Sequence, residues 1–148
     1  MLYVSLAALA ALALVGCGGG GGGGVPIVLN NTVDLTVPSG AAPAGVTPTV
    51  QNKEAADVPN IPGSVSIFVA AAECLPTGTI FSQPVTLTFD LVNAVPAGKQ
   101  VALFERNPSN DWIGSPGTTV NLSADRKTAT VQVDRFTSNG YYMILTLL

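Results

Sequence analysis

The chain has 148 residues, of which only 10% are charged, with 6 Lys+Arg against 9 Asp+Glu, no His and a formal net charge of −3. This balance excludes the dense cationic surface that a nucleic-acid partner requires. A histidine-free chain with two cysteines also lacks the ligands for a zinc centre, and Asp34, Asp57, Asp90, Asp111, Asp125 and Asp134 are scattered without the spacing of a calcium loop. Neither a metal nor a bound cofactor is expected.

The first element is a leader. Leu6 to Val15 is almost wholly Ala and Leu, an apolar run too short for the roughly 20 residues that span a bilayer and of the length of a signal h-region. It carries no Lys or Arg on its amino-terminal side, a departure from the usual pattern. It ends in Leu14-Val15-Gly16-Cys17, which resembles the lipobox of bacterial lipoproteins. That resemblance implies cleavage between Gly16 and Cys17, and a covalent diacylglycerol and N-acyl group on Cys17 as the only non-protein groups. Residues 1–16 are then a signal peptide, and residues 17–24 the lipidated Cys with its tether.

Residues 18–24 are all Gly, bury no side chain and would lose maximal backbone entropy on ordering. A flexible tether spanning roughly 15 Å is expected. The resemblance implies an extracytoplasmic, lipid-anchored protein of a bacterial membrane; since Gly18, not Asp, follows the lipidated Cys, it favours the outer membrane. If Cys17 is lipidated, Cys74 has no partner for an intramolecular disulfide. It is expected as a small apolar filler behind a strand end, the other reading being a reactive or intermolecular thiol.

From residue 25 to 148 the apolar pattern has period two, the signature of half-buried strands, over a length that suits one domain. Val33, Leu35 and Val37 share one face of a strand that Pro38-Ser39-Gly40 ends. Thr47 to Gln51 is a short strand confined to an edge by Pro48, and a loop to Pro62 follows with one helical turn near Lys53-Glu54-Ala55-Ala56. Ser64 to Val69 is the next strand. Pro84 opens the clearest one, with Val85, Leu87, Phe89 and Leu91 inward. Gln100 to Glu105 and Asp111-Trp112-Ile113 follow. Thr118 to Leu122 then pairs with Thr128 to Asp134 around a polar loop, with Val131 and Val133 inward, and Tyr141 to Leu148, apolar on both faces, is the central strand. Short strands joined by Gly and Pro turns, without a helix-length amphipathic segment, specify an all-β antiparallel β-sandwich.

The turns carry a second resemblance. Leu35-Thr36-Val37-Pro38-Ser39-Gly40-Ala41 and Pro76-Thr77-Gly78-Thr79-Ile80-Phe81-Ser82-Gln83-Pro84-Val85-Thr86-Leu87, followed by Trp112 and Asp134-Arg135-Phe136-Thr137, resemble in order the motifs of ZU5 domains. The residues give these positions structural roles: Gly78 permits a tight approach, Phe81 lids the core and Pro84 sets the strand entry. The resemblance implies an adaptor-like module. It also implies a site, since some members cut their own backbone at a His-Phe-Ser motif through an N to O acyl shift. The corresponding residues are Arg135, Phe136 and Thr137, and a guanidinium cannot take the proton that the Thr hydroxyl must lose. This degenerate autoproteolysis motif is expected to be inactive, the alternative being a self-cleaving domain in which a water or a carboxylate such as Asp134 takes that proton.

The function expected is therefore a non-enzymatic binding or structural module of the cell envelope, held on the membrane by lipid and facing an envelope protein or glycan. A second reading is a carbohydrate-binding sandwich that stacks sugars on Trp112, Tyr141 or Tyr142. A hydrolase lacks a nucleophile paired with a base, and no Gly-x-Ser-x-Gly elbow is present.

Overall fold

The computed structural model describes residues 31–61 and 67–147. The leader, Cys17, the glycine run and the start of the strand expected from Ser64 lie outside the described residues. Among those described, nine strands appear in order: β1 (Thr32–Thr36), β2 (Thr49–Lys53), β3 (Phe68–Leu75), β4 (Ile80–Asp90), β5 (Val101–Arg106), β6 (Trp112–Gly114), β7 (Val120–Leu122), β8 (Thr128–Arg135) and β9 (Tyr141–Thr146), with a single 3-10 turn at Ala55–Asp57 after β2. They form two antiparallel sheets, ordered β1-β4-β8-β7 and β2-β3-β9-β5-β6. β2 lies at an edge and β9 at a centre, as the positions of Pro48 and of the carboxyl-terminal apolar run imply.

The period-two pattern places the core. Leu35 sits opposite Leu87, Leu87 opposite Val131 and Val131 opposite Val120, so one row of aliphatic side chains crosses the first sheet on its inner face. Val85, Leu87 and Phe89 are wholly buried in β4. The facing sheet answers with small and large residues in alternation, Ala70, Ala72 and Cys74 from β3 beside Tyr142, Ile144 and Leu103, which lets the two layers interdigitate at interior density.

The second sheet is buried on its outer face as well. Ala71, Met143 and Leu145 point away from the main core and form a second cluster with Val58, Ile61, Phe104 and Trp112. The segment after β2 lies across that face as a strap. Trp112 pins it by donating its indole Nε1–H to the Pro59 carbonyl at 2.9 Å. A strand covered on both sides needs apolar residues at successive positions, and Tyr142 to Leu145 supplies them.

The bounds of β2, β5, β6 and β7 shift by one or two residues from those the pattern gives, and two larger differences bear on the site. β3 continues through Ala70-Ala71-Ala72-Glu73-Cys74, so Cys74 lies within the strand and not behind its end. β4 starts at Ile80, and Pro84 falls where the register with β8 shifts between Ile80 and Val85, a position that does not require its missing N–H.

Candidate functional site

Apart from Trp112, which packs against the second cluster, the residues that carry the family motifs lie far apart in sequence and meet at one pole of the sandwich. The turn leaving β1, the β3–β4 turn and the β8–β9 corner converge there. Ser82 N–H donates to the Ala41 carbonyl at 2.9 Å and its hydroxyl to the Gly40 carbonyl at 3.1 Å. Gly78 N–H donates to the Thr137 carbonyl at 3.0 Å, and Phe136 N–H to the Thr79 carbonyl at 2.7 Å. Phe81 and Phe136 close the end of the core edge to face, with ring centroids 4.9 Å apart at 79°, a geometry that aromatic quadrupoles favour.

The glycines divide their tasks differently from the sequence expectation. Gly78 has φ +71° with open space where a Cβ would stand, so it serves the turn's backbone and not a close approach. The close approach is at Gly140, where a Cβ would lie 2.7 Å from the Cys74 carbonyl oxygen. Cys74 N–H in turn donates to the Gly140 carbonyl at 2.7 Å. Gly140 was not legible as special, since nothing in its sequence neighbourhood distinguishes it from a turn glycine.

Arg135, Phe136 and Thr137 are adjacent but face different surroundings. The Arg135 guanidinium is exposed and pairs with the Glu105 carboxylate at 3.4 Å, joining β8 of one sheet to β5 of the other. Phe136 and Thr137 are buried. The Thr137 hydroxyl donates to the Tyr141 carbonyl at 3.5 Å, an acceptor that cannot take up a proton at neutral pH. Asp134, the carboxylate nearest in sequence, is exposed. The corner is a hydrogen-bonded joint between strands.

Clefts flank the Arg135–Glu105 pair. β7 runs opposite Ala129 to Val131 only, so among the described residues β8 beyond Val131 has no strand beside it on that side, and a cleft of about 870 Å³ opens there, bordered by Thr86, Ile113, Thr118, Asn121 and Gln132. A second, of about 430 Å³, lies over the motif corner between Ile80, Arg106, Pro108 and Phe136. Ile80 is 71% exposed and Ile113 42%. Period-two reading places Ile113 on a strand and leaves Ile80 ahead of one, and it cannot tell that no neighbour covers either.

The aromatic residues named as a stacking platform are not arranged as one. Tyr142 is 1% exposed, inside the core, with its hydroxyl donating to the Arg135 carbonyl; this corrects its assignment as a ligand-stacking residue. Trp112 is half-buried and packs its ring on the second cluster. Tyr141 is half-buried, with the Arg106 guanidinium 6.0 Å from its ring centroid.

Cys74 is fully buried and free. Burial pushes its thiol up to about 12 from an ordinary value of 9.0, and the Glu73 carboxylate adds to the shift. Burial raises the Tyr142 hydroxyl too. For an acid whose folded pKa lies above its unfolded one, stability is intact below the unfolded value and is lost as pH rises towards the folded value. The domain is therefore expected to be pH-insensitive in this respect below about 9, and to weaken between about 9 and 12 with a limiting slope near 1.4 kcal/mol per pH unit from Cys74. Urea titrations across that range check it, with Cys74→Ala expected to flatten the first part of the decline.

Two packed antiparallel sheets, with no helix-length element among the described residues, define the fold as a β-sandwich. The model of the ZU5 domain matches residues 13–105, more than half of the chain, and the chain belongs to that family. The match ends before Trp112 and the Arg135-Phe136-Thr137 corner. A search of curated proteins finds no match.

Proposed function

We propose that this ZU5 sandwich is a lipid-anchored, extracytoplasmic binding or structural module of a bacterial cell envelope, without enzymatic activity, held through acylated Cys17 and reaching an envelope protein or glycan with its far pole. The observation that carries the reading is the direction of the chain. The lipobox-like Leu14-Val15-Gly16-Cys17 and the glycines lead to Asn31, which is tied to Val69 and Val92 at the pole where β1, β3 and β8 begin. Both clefts, the exposed Ile80 and the motif corner lie towards the opposite pole, so a tether at Asn31 presents them away from the membrane. Gly18 in place of Asp favours the outer membrane.

The test is an intact mass of the protein purified from membranes, with palmitate labelling and a Cys17→Ser control. The expected mass is that of a chain starting at Cys17, acylated and unbroken between Phe136 and Thr137. Unmodified Cys17 would sink the anchor, and a break at Phe136–Thr137 would sink the reading of the corner as a joint. The sugar-stacking alternative loses its support from Tyr142, which is enclosed.

A further inference from the structure

We infer that the pole at which the chain enters the sandwich is itself a membrane-contacting surface, so that the domain is seated on the phospholipid headgroups instead of swinging free. This rests on the anchor proposed above. Cys17 and Asn31 are fourteen residues apart, a separation of roughly 20 Å for a flexible chain and at most about 50 Å when extended. The pole around Asn31 is therefore held within reach of the bilayer.

What that pole presents suits an anionic lipid surface. Ile67 and Leu147 are 60% and 38% exposed, and they flank the paired ends of β3 and β9, where Ile67 N–H donates to the Thr146 hydroxyl and Thr146 N–H donates back to the Ile67 carbonyl. Leu147 N–H donates to the Gln100 carbonyl at 2.8 Å, which brings the 96–99 turn alongside, with Pro96, Ala97 and Gly98 exposed. Three of the chain's six Lys+Arg, namely Lys99, Arg126 and Lys127, collect here. Arg126 is spent on the Val95 and Lys99 carbonyls and fixes the 96–99 turn against the β7–β8 hairpin, leaving the two lysines at the rim. Among the described residues the carboxylates at this pole are Asp90, accepting from the Thr128 hydroxyl, Asp125, accepting from the Ser123 hydroxyl and Lys127 N–H, and exposed Asp34 further along β1. Those hydrogen bonds hold Asp125 below its usual range and therefore ionised. The strap carries Glu54 and Asp57 along the flank of the second sheet. The pole is thus near neutral, three cations against three carboxylates, where the rest of the chain carries the other three Lys+Arg against six Asp+Glu. Aliphatic side chains ringed by lysines partition into the headgroup boundary of anionic bilayers, and the two contributions add.

The experiment uses the lipidated full-length protein in vesicles of phosphatidylethanolamine and phosphatidylglycerol, with a nitroxide attached through Leu147→Cys or, as the distal control, Ile80→Cys. Cys74 is enclosed and unreactive, and Cys17 carries acyl chains whose presence is verified by mass. The Leu147→Cys label is expected to be shielded from a water-soluble nickel relaxant and accessible to oxygen, with the Ile80→Cys label showing the reverse. Equal nickel access at both sites on an acylated protein overturns the seating and leaves the anchor intact, whereas loss of acylation points to failure of the anchor instead. Lys99→Gln with Lys127→Gln is expected to reduce the difference between the labels; an undiminished difference would overturn the role given to the lysines.

Discussion

Leu87→Ala is expected to lower the unfolding free energy by about 2 to 5 kcal/mol, the range for truncating a fully enclosed leucine whose surroundings cannot collapse. Leu87 is wholly buried at the centre of β4, with Leu35 opposite on one side and Val131 on the other. All three belong to strands of the same sheet, so their backbones are held at fixed spacing and cannot close over the missing methyls. On the facing sheet Ala70, Ala72 and Cys74 are too small to fill the void, and Tyr142, Ile144 and Leu103 are themselves fully buried in the same core. A urea transition monitored by Trp112 fluorescence would show the midpoint falling with little change in slope. A midpoint matching the unsubstituted protein would mean that β4 is read in the wrong register and that its inner face is Thr86, Thr88 and Asp90.

That register was legible in the sequence because from Val85 to Asp90 every second residue of β4 is apolar and the alternate ones are polar. Period two fails where both sides of a strand are covered. In β3 the run Ala70-Ala71-Ala72 has no alternation, and Ala is a poor strand former when judged alone; the strand there exists because the strap and Trp112 bury one face while the main core buries the other. Small residues suit such a position, and their smallness removes the signal that would have announced it. The motif corner was legible as a set of names and turn residues, Gly78, Phe81 and Phe136 among them. Its closure was not, because the bonds from Gly78 to Thr137 and from Cys74 to Gly140 span more than fifty residues. The clefts depend on the lengths of β6 and β7 relative to β5 and β8, a property of pairing and not of any one segment's pattern.

Phe136→Ala separates the two meanings of the Arg135-Phe136-Thr137 corner. If the corner is a joint, removing the ring opens the end of the core, and a loss of about 3 to 5 kcal/mol is expected, including the edge-on contact with Phe81, which contributes roughly 0.5 to 1.5 kcal/mol. Phe136→Leu keeps most of the volume and should cost far less. Arg135→Ala removes only an exposed ion pair, with the guanidinium more than half accessible, and a change within about 1 kcal/mol is expected. Thr137→Val keeps the shape and deletes the hydroxyl that donates to Tyr141, so about 1 kcal/mol should be lost. This ordering, Phe136 far above Thr137 and Arg135, is the signature of packing. A reactive corner would order them differently, with Thr137→Val abolishing a cleavage product and Phe136→Leu sparing it. Urea midpoints for the four variants, run beside intact masses of the same samples, distinguish the two, and a Phe136→Ala loss under about 1 kcal/mol would show that the core is sealed elsewhere.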